Sequence, residues 1–400
     1  MKRKLIYALA LITCVIIACK KDKLTDANTN YSDVPVLPDV PYHYSATTND
    51  KTVALGRVLF FDNKLSLNNS VACGSCHQQA RAFCDNKQFS TGFIDTKTAR
   101  NTPSIFAKGG HMFWDGRATD INDLVLRPIK NHVEMHIATM EQLSTKLSKT
   151  SYYPALFNDA FGSTIIDSAK IQIALSSFIH NFTFSNNKFN ASLNNPSVLN
   201  ASENLGKDLF FGKAKCANCH RIKSNTNTVG FPGGPPTGNN GYGNTEGPIE
   251  TVSFNIGLDN AYTDNGVGNI TKASTDNGKF VIPVLLNVEY TAPYMHDGRF
   301  KTLEEVVEHY NSGIKNHPNL DAKLRDVSSF ENLTETEQEQ QLVVLDTNHD
   351  GDITTDELSS FPTQKLNLTV VEKKNLVDFL KTLSDPSILV DKRFSTPFKR

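Results

Sequence analysis

The sequence predicts a mainly α-helical chain made of two similar domains in tandem. Three observations carry this. The unit Cys-x-x-Cys-His occurs twice, as Cys73-Gly74-Ser75-Cys76-His77 and as Cys216-Ala217-Asn218-Cys219-His220. The upstream flanks match, Leu55-Gly56-Arg57-Val58-Leu59-Phe60-Phe61 against Leu205-Gly206-Lys207-Asp208-Leu209-Phe210-Phe211. The downstream flanks match through a shared Asp-Gly-Arg, in Phe113-Trp114-Asp115-Gly116-Arg117 and Tyr294-Met295-His296-Asp297-Gly298-Arg299. A repeat of this kind, on both sides of one motif, reads as internal duplication.

The motif itself names a cofactor. Two thiols separated by two residues on one turn of helix can reach the two vinyl groups of a haem, and the next histidine then sits beneath the iron. A redox dithiol would not need the histidine, and a zinc site would leave two separated half-sites. The fold class is therefore two cytochrome c-like haem domains related by internal duplication, each with one covalent c-type haem. Cys73, Cys76 and His77 hold the first haem; Cys216, Cys219 and His220 hold the second.

The N-terminal segment is a targeting signal. Lys2, Arg3 and Lys4 precede an apolar stretch from Leu5 to Ala18 that is short for a bilayer span. Ile16-Ile17-Ala18-Cys19 has the form of a lipobox, with Cys19 as the lipidated residue; an ordinary cleaved signal peptide or a short anchor is the alternative. Residues 1–18 are then a leader and 19–45 a polar tether. The two domains span 46–190 and 191–400. The expected location is the cell envelope, lipid-anchored and facing the periplasm. Of seven cysteines, six are assigned to leader, lipid and haem, and Cys84 is left as a small buried residue. With 41 basic and 42 acidic residues, the chain has no electrostatic reason to bind nucleic acid, and it meets a membrane through its lipid only.

The repeat also separates the two haems. Eleven residues after Arg117 stands Pro128, and eleven after Arg299 stands Tyr310. Proline offers iron no side-chain ligand, whereas tyrosine does as phenolate. The first haem is expected open and the second capped by Tyr310, with the adjacent His309 as the alternative ligand. Six residues beyond Pro128, Glu134 is the carboxylate expected to move a proton between the oxygens of bound peroxide. Trp114, the one tryptophan, aligns with His296 and is expected to relay electrons between the haems.

These residues resemble the bacterial dihaem cytochrome c peroxidase family and, within it, MauG and its relatives. The likeness runs from about residue 50 to residue 385 and also takes in Arg100-Asn101-Thr102-Pro103, Glu134-Met135 and Thr291-Ala292-Pro293-Tyr294. It implies that Trp114 lies between the haems, that Glu134 is the distal acid-base residue, and that calcium is bound between the domains by Asn101 and the backbone oxygens of Thr291 and Pro293. Three departures stand out. The stretch Ser90-Thr91-Gly92-Phe93 lacks the histidine that blocks the peroxidatic haem in ordinary members, and His111 lies off that position. Tyr310 replaces the usual methionine, as in MauG. A family glutamine falls at Leu124, leaving Glu134 with less polar support.

A second calcium site is expected in an insertion at about 334–360. Asp346, Asn348, Asp350, Asp352 and Glu357 fit the twelve-residue EF-hand loop, with Gly351 at its sixth position and Ile353 at its eighth. The final helix is predicted from the capping box Thr369-x-x-Glu372 and the apolar face Leu376, Phe379, Leu380, Leu383. The stretch Ser224 to Gly247 reads as an irregular loop without assigned chemistry.

The leading expectation is a peroxidase that reduces hydrogen peroxide at the His77 haem with electrons relayed through the His220 haem from a small redox protein, a cytochrome c or a cupredoxin. The alternatives are a MauG-like oxidase acting on a protein or organic substrate, and a non-catalytic electron-transfer cytochrome. Pro128 and Glu134 weigh against the last, since a carrier normally saturates both irons.

Overall fold

A computed structural model describes residues 35–36, 50–106, 110–182, 186–220, 222, 248–328, 334, 336–338 and 357–398. The leader, Cys19, most of the tether, the 224–247 stretch and the loop ligands Asp346, Asn348, Asp350 and Asp352 lie outside these residues. Glu357 is described only as the start of a short 3-10 turn, Glu357–Ser360. No helix among the described residues is long and apolar enough to cross a membrane.

The first lobe is organised by a helix crossing. Helix α1, Asp50–Phe61, buries Val53, Leu55, Val58, Leu59 and Phe60, and the short α2 spans Ile121–Val125. Helix α3, Ser168–His180, opens on Asp167, whose carboxylate accepts the Lys170 amide at 2.8 Å, and buries Ile171, Ala174, Leu175 and Phe178. The two long helices meet at Gly56, where a Cβ would overlap the Ala174 carbonyl and lie 2.9 Å from Phe178 Cβ. Only glycine lets the backbones come this close. Around the crossing, Phe60, Phe61, Phe83, Phe178 and Phe182 pack edge-on and tilted, the arrangement aromatic quadrupoles favour.

The second lobe repeats that crossing. Helix α4, Ala201–Phe211, starts on a reciprocal cap between Asn200 and Glu203. Helix α5, Leu303–Glu308, starts on one between Thr302 and Glu305. Helix α6, Val370–Lys381, carries the predicted Thr369–Glu372 box, with bonds of 3.2 and 2.7 Å. Its predicted face is buried at Leu376, Phe379, Leu380 and Leu383. Helices α4 and α6 meet at Gly206, where a Cβ would overlap the Asn375 carbonyl and lie 2.8 Å from Phe379 Cβ.

The Asp-Gly-Arg segments also have one shape. Met112 bridges Ala118, and Tyr294 bridges Phe300. Inside these turns Phe113 (φ 63°) and Gly116 (φ 70°) correspond to Met295 (φ 73°) and Gly298 (φ 63°).

Two features were not read from sequence. A two-stranded antiparallel ribbon pairs β1, Ser253–Phe254, with β2, Phe280–Val281, and Val281 N–H donates to the Trp114 carbonyl at 2.9 Å. The C-terminal tail, assigned by sequence to the second domain, packs on the first: Ile388, Phe394 and Phe398 join its core. Arg57 Nε donates to the Ser395 carbonyl at 2.6 Å, and Gln79 Nε2 to those of Ile388 and Asp391. Ile388 and Phe394 sit in short 3-10 turns and Phe398 in a bend, which leaves no periodic pattern to read.

Candidate functional site

Cys73–Cys76 forms a single helical turn closed by a 2.8 Å bond from His77 N–H to the Cys73 carbonyl. Cys216–Asn218 is a tighter turn, closed by a 2.9 Å bond from His220 N–H to the Cys216 carbonyl. None of the four thiols forms a disulfide. Burial pushes Cys73 and Cys216 up to about 12 and Cys76 and Cys219 up to about 11. A redox dithiol shifts one of its thiols the other way, downward.

The two histidines are held in one tautomer. His77 Nδ1 lies 2.8 Å from the Phe83 carbonyl, and His220 Nδ1 lies 3.2 Å from that of Pro283. A carbonyl only accepts, so Nδ1 carries the proton and Nε2 keeps its lone pair. Burial lowers both imidazoles, His220 to about 4, so both are neutral at ordinary pH. A neutral ring whose second nitrogen donates to a backbone carbonyl is the usual state of a metal-ligating histidine.

A cavity of about 890 Å³ runs between the two motifs, with Cys76 and His77 on its wall in the first lobe and Cys216 and His220 in the second. It falls within the roughly 300–1,000 Å³ of small-molecule and cofactor sites. Trp114 stands on its wall and also on that of a smaller cavity of about 110 Å³ shared with Cys219, His220, His296 and Tyr310. The indole is fixed by a 2.9 Å bond from Nε1 to the Asn101 carbonyl, and it meets His296 edge-on at 6.5 Å.

Pro128 and Tyr310 both line the large cavity. Pro128 is the second residue of the helical turn Arg127–Lys130, where a missing amide hydrogen costs nothing. Tyr310 sits on a wide π turn, His309–Gly313, that continues α5. Asn311 pins this turn: its carbonyl accepts Leu366 N–H at 3.0 Å and its Oδ1 accepts Leu368 N–H at 2.8 Å. Such turns re-aim a side chain and recur at functional sites. Burial pushes the Tyr310 phenol well above its ordinary value, so its phenolate needs a cation beside it. His309 instead donates Nε2–H to the Ile256 carbonyl at 2.9 Å, and it is on neither cavity wall.

Glu134 lines the cavity beside Pro128. Burial raises its pKa, opposed by the Arg117 charge and by a hydrogen bond from Asn131. Asn131 Nδ2 donates to Glu134 Oε1 at 2.8 Å, while Asn131 Oδ1 accepts Val133 N–H at 2.9 Å. Glu134 therefore has a polar partner in Asn131, although the family glutamine expected at Leu124 is absent. Leu124 itself adds only apolar wall. The three-residue spacing of Asn131 and Glu134 is the signal that could have revealed this.

The Ser90–Phe93 stretch packs beneath the same turn. Phe93 N–H and Thr96 Oγ1 both donate to the Val133 carbonyl, at 2.8 and 2.9 Å, and Phe93 stacks on His136 at 4.4 Å. His111, on the cavity wall, is tied through Nδ1 to the Gly116 carbonyl at 3.0 Å. Arg117 is held by Asp115 at 2.8 and 2.9 Å over the Phe113 ring. Arg100 bridges Asp115 and Asp264, each at 2.6 Å, so it ties the two lobes together.

Asn101, Thr291 and Pro293, the residues expected at calcium, all line the large cavity. Asn101 Nδ2 donates to the Lys87 carbonyl at 3.0 Å. Among the described residues no hydrogen bond ends on the Thr291 or Pro293 carbonyls, and no group of three or more His, Cys, Asp or Glu is placed to hold a metal. Cys84 is buried, as expected, and burial pushes its thiol up.

The chain is similar to known proteins in sequence and in fold. A family model for di-haem cytochrome c peroxidase matches residues 50–197. The chain is 28% identical to the methylamine utilization protein MauG of Methylorubrum extorquens over 359 residues, covering 86% of this chain and 94% of that protein. It is 30% identical to the cytochrome c551 peroxidase of Nitrosomonas europaea over 276 residues, covering 68% and 76%. Among solved structures, a MauG-like protein associated with microbial copper homeostasis aligns with a TM-score of 0.66 at 29% identity, covering 90% of this chain and 98% of that one.

Proposed function

The chain belongs to the bacterial di-haem cytochrome c peroxidase family, and from that premise we propose that it reduces hydrogen peroxide in its first lobe with electrons delivered through its second. It is a peroxidase-type, MauG-like oxidoreductase of a family with two c-type haems. Cys73, Cys76 and His77 would hold the first haem, and Cys216, Cys219, His220 and Tyr310 the second. When bound, these groups supply the redox chemistry, an iron accessible to peroxide in one lobe and an electron store in the other.

One observation carries the division of labour. Pro128 and Tyr310 stand at matching places in sequence and line one cavity, yet only Tyr310 can ligate a metal. The matched glycine crossings and the matched Asp-Gly-Arg turns support reading the lobes as a duplication. Beside Pro128, Glu134 takes a proton from one oxygen of incoming peroxide and returns it to the other, so that this oxygen leaves as water when the O–O bond breaks; two electrons from the reduced donor and two further protons carry the remaining oxygen to a second water. Arg117, fixed by Asp115, keeps positive charge near this transfer. Trp114, lining both cavities and fixed by Asn101, lies where it can bridge the lobes.

Asn101 and the carbonyls of Thr291 and Pro293, which accept no hydrogen bond among the described residues, would supply oxygen ligands to a calcium ion that joins the lobes. A second calcium in the 346–357 loop and a lipid on Cys19 in the periplasm-facing envelope complete the reading.

The test is peroxide consumption by the haem-loaded protein with and without a reduced small cytochrome c or cupredoxin. Fast turnover that oxidises the donor is the expected result. Peroxide consumption that stalls with reduced donor present, but resumes with an oxidisable protein or organic substrate, would transfer the assignment to the MauG-like oxidase. That second reading has its own support in Tyr310, because a phenolate ligand favours ferric iron and makes a poorer acceptor from ordinary donors.

A further inference from the structure

We infer that Asn131 is the positioning residue of the distal acid-base site, aiming and holding the Glu134 carboxylate through its amide. The inference rests on the peroxidase reading of Glu134 and adds a residue to it.

Asn131 uses both ends of its side chain. Nδ2–H reaches Glu134 Oε1 at 2.8 Å, and Oδ1 caps Val133 N–H at 2.9 Å. The backbone closes the same turn: the Asn131 carbonyl accepts the amides of Glu134 at 3.1 Å, Met135 at 3.1 Å and His136 at 2.9 Å. From the opposite side, Phe93 N–H and Thr96 Oγ1 hold the Val133 carbonyl. Gly92 leaves no room for a Cβ against that carbonyl. The carboxylate therefore stands on a turn gripped from two sides, with one oxygen engaged by Asn131 and the other free for proton transfer.

The amide has an electrostatic consequence. A donor to the carboxylate favours its charged form, so Asn131 offsets part of the burial that raises Glu134. The charged and titratable groups around Glu134 are Arg117 from the turn after Trp114, the sulfurs of Cys73 and Cys76, and His132 and His136 on its own turn. In the haem-loaded protein the sulfurs are thioethers and carry no charge.

The experiment compares Asn131→Asp with Asn131→Ala in the haem-loaded full chain. Asn131→Asp keeps an oxygen to cap Val133 and loses the amide donor, whereas Asn131→Ala loses both. The readouts are the pH profile of the peroxide reaction and the infrared titration of the Glu134 carboxylate, identified by its loss in Glu134→Gln. Both variants should shift the Glu134 midpoint upward, more for Asp because of its like charge. Both should react with peroxide about ten-fold or more slowly at neutral pH, with the spin-state spectrum of the resting protein unchanged. Wild-type rate and midpoint in Asn131→Asp, with loss only in Asn131→Ala, would make Asn131 a turn cap and overturn the inference. Equal slowing of both with an unmoved midpoint would overturn it as well. Failure of the underlying reading is distinguishable, because Glu134→Gln would then itself react at the wild-type rate.

Discussion

Replacing Glu134 by Gln should slow the reaction with peroxide by about 10²–10⁴-fold, the range that a positioned general acid-base group contributes. The substitution keeps the size of the side chain, and the turn that carries it is made by the backbone of residues 131–136 and by the cap from Asn131 to Val133. The fold has no reason to change. What is lost is a group that can take and return a proton. The pH dependence gives a second check on the same residue. Burial raises the Glu134 pKa above its ordinary value, and the acid-base role begins from the ionised form. The rate in wild type should therefore fall as pH drops through that raised value, and this limb should vanish in Glu134→Gln. Stopped-flow rates across pH measure both effects. An unchanged rate in the variant would move the proton transfer to another group, and His111 and His132 are the remaining imidazoles beside His77 on the first lobe's part of the wall.

Tyr310→Phe should remove the cap of the second haem and convert its low-spin resonance to a high-spin one. Phenylalanine fills the same space on the π turn but offers iron nothing. The adjacent His309 does not stand ready to replace the phenolate, since it is turned to the Ile256 carbonyl and touches neither cavity. Loss of an anionic ligand that favours ferric iron should also raise the reduction potential of that haem. Electron paramagnetic resonance and a redox titration read the two effects. A low-spin signal that survives Tyr310→Phe but is lost in His309→Ala would give the ligand role to His309.

The sequence and the structure agree most where the chemistry is local. A Cys-x-x-Cys-His turn needs nothing beyond its own residues, and the Thr369–Glu372 cap with its apolar face is a helix signal complete in itself. Gly56 and Gly206 were legible as repeat markers but not as helix crossings, because a close approach needs the partner helix to be known. The fixing of Trp114 by Asn101 and Val281 was invisible for the same reason. The missing glutamine at Leu124 shows the limit from the other side. Matching by position recorded a loss of polar support, while Asn131, seven residues along the chain and on the far side of Pro128, gives Glu134 a hydrogen bond of its own. The choice between Tyr310 and His309 was likewise open in the sequence, since adjacent residues share every local signal. The π turn and its anchoring by Asn311 put only Tyr310 on the cavity wall.

That two nearly identical motifs hold one open and one capped haem is tested most directly by electron paramagnetic resonance of the diferric, haem-loaded protein before and after peroxide. One high-spin and one low-spin signal, both lost on adding peroxide without prior reduction, is the expected result. Two low-spin signals that ignore peroxide would contradict it and leave the chain an electron carrier.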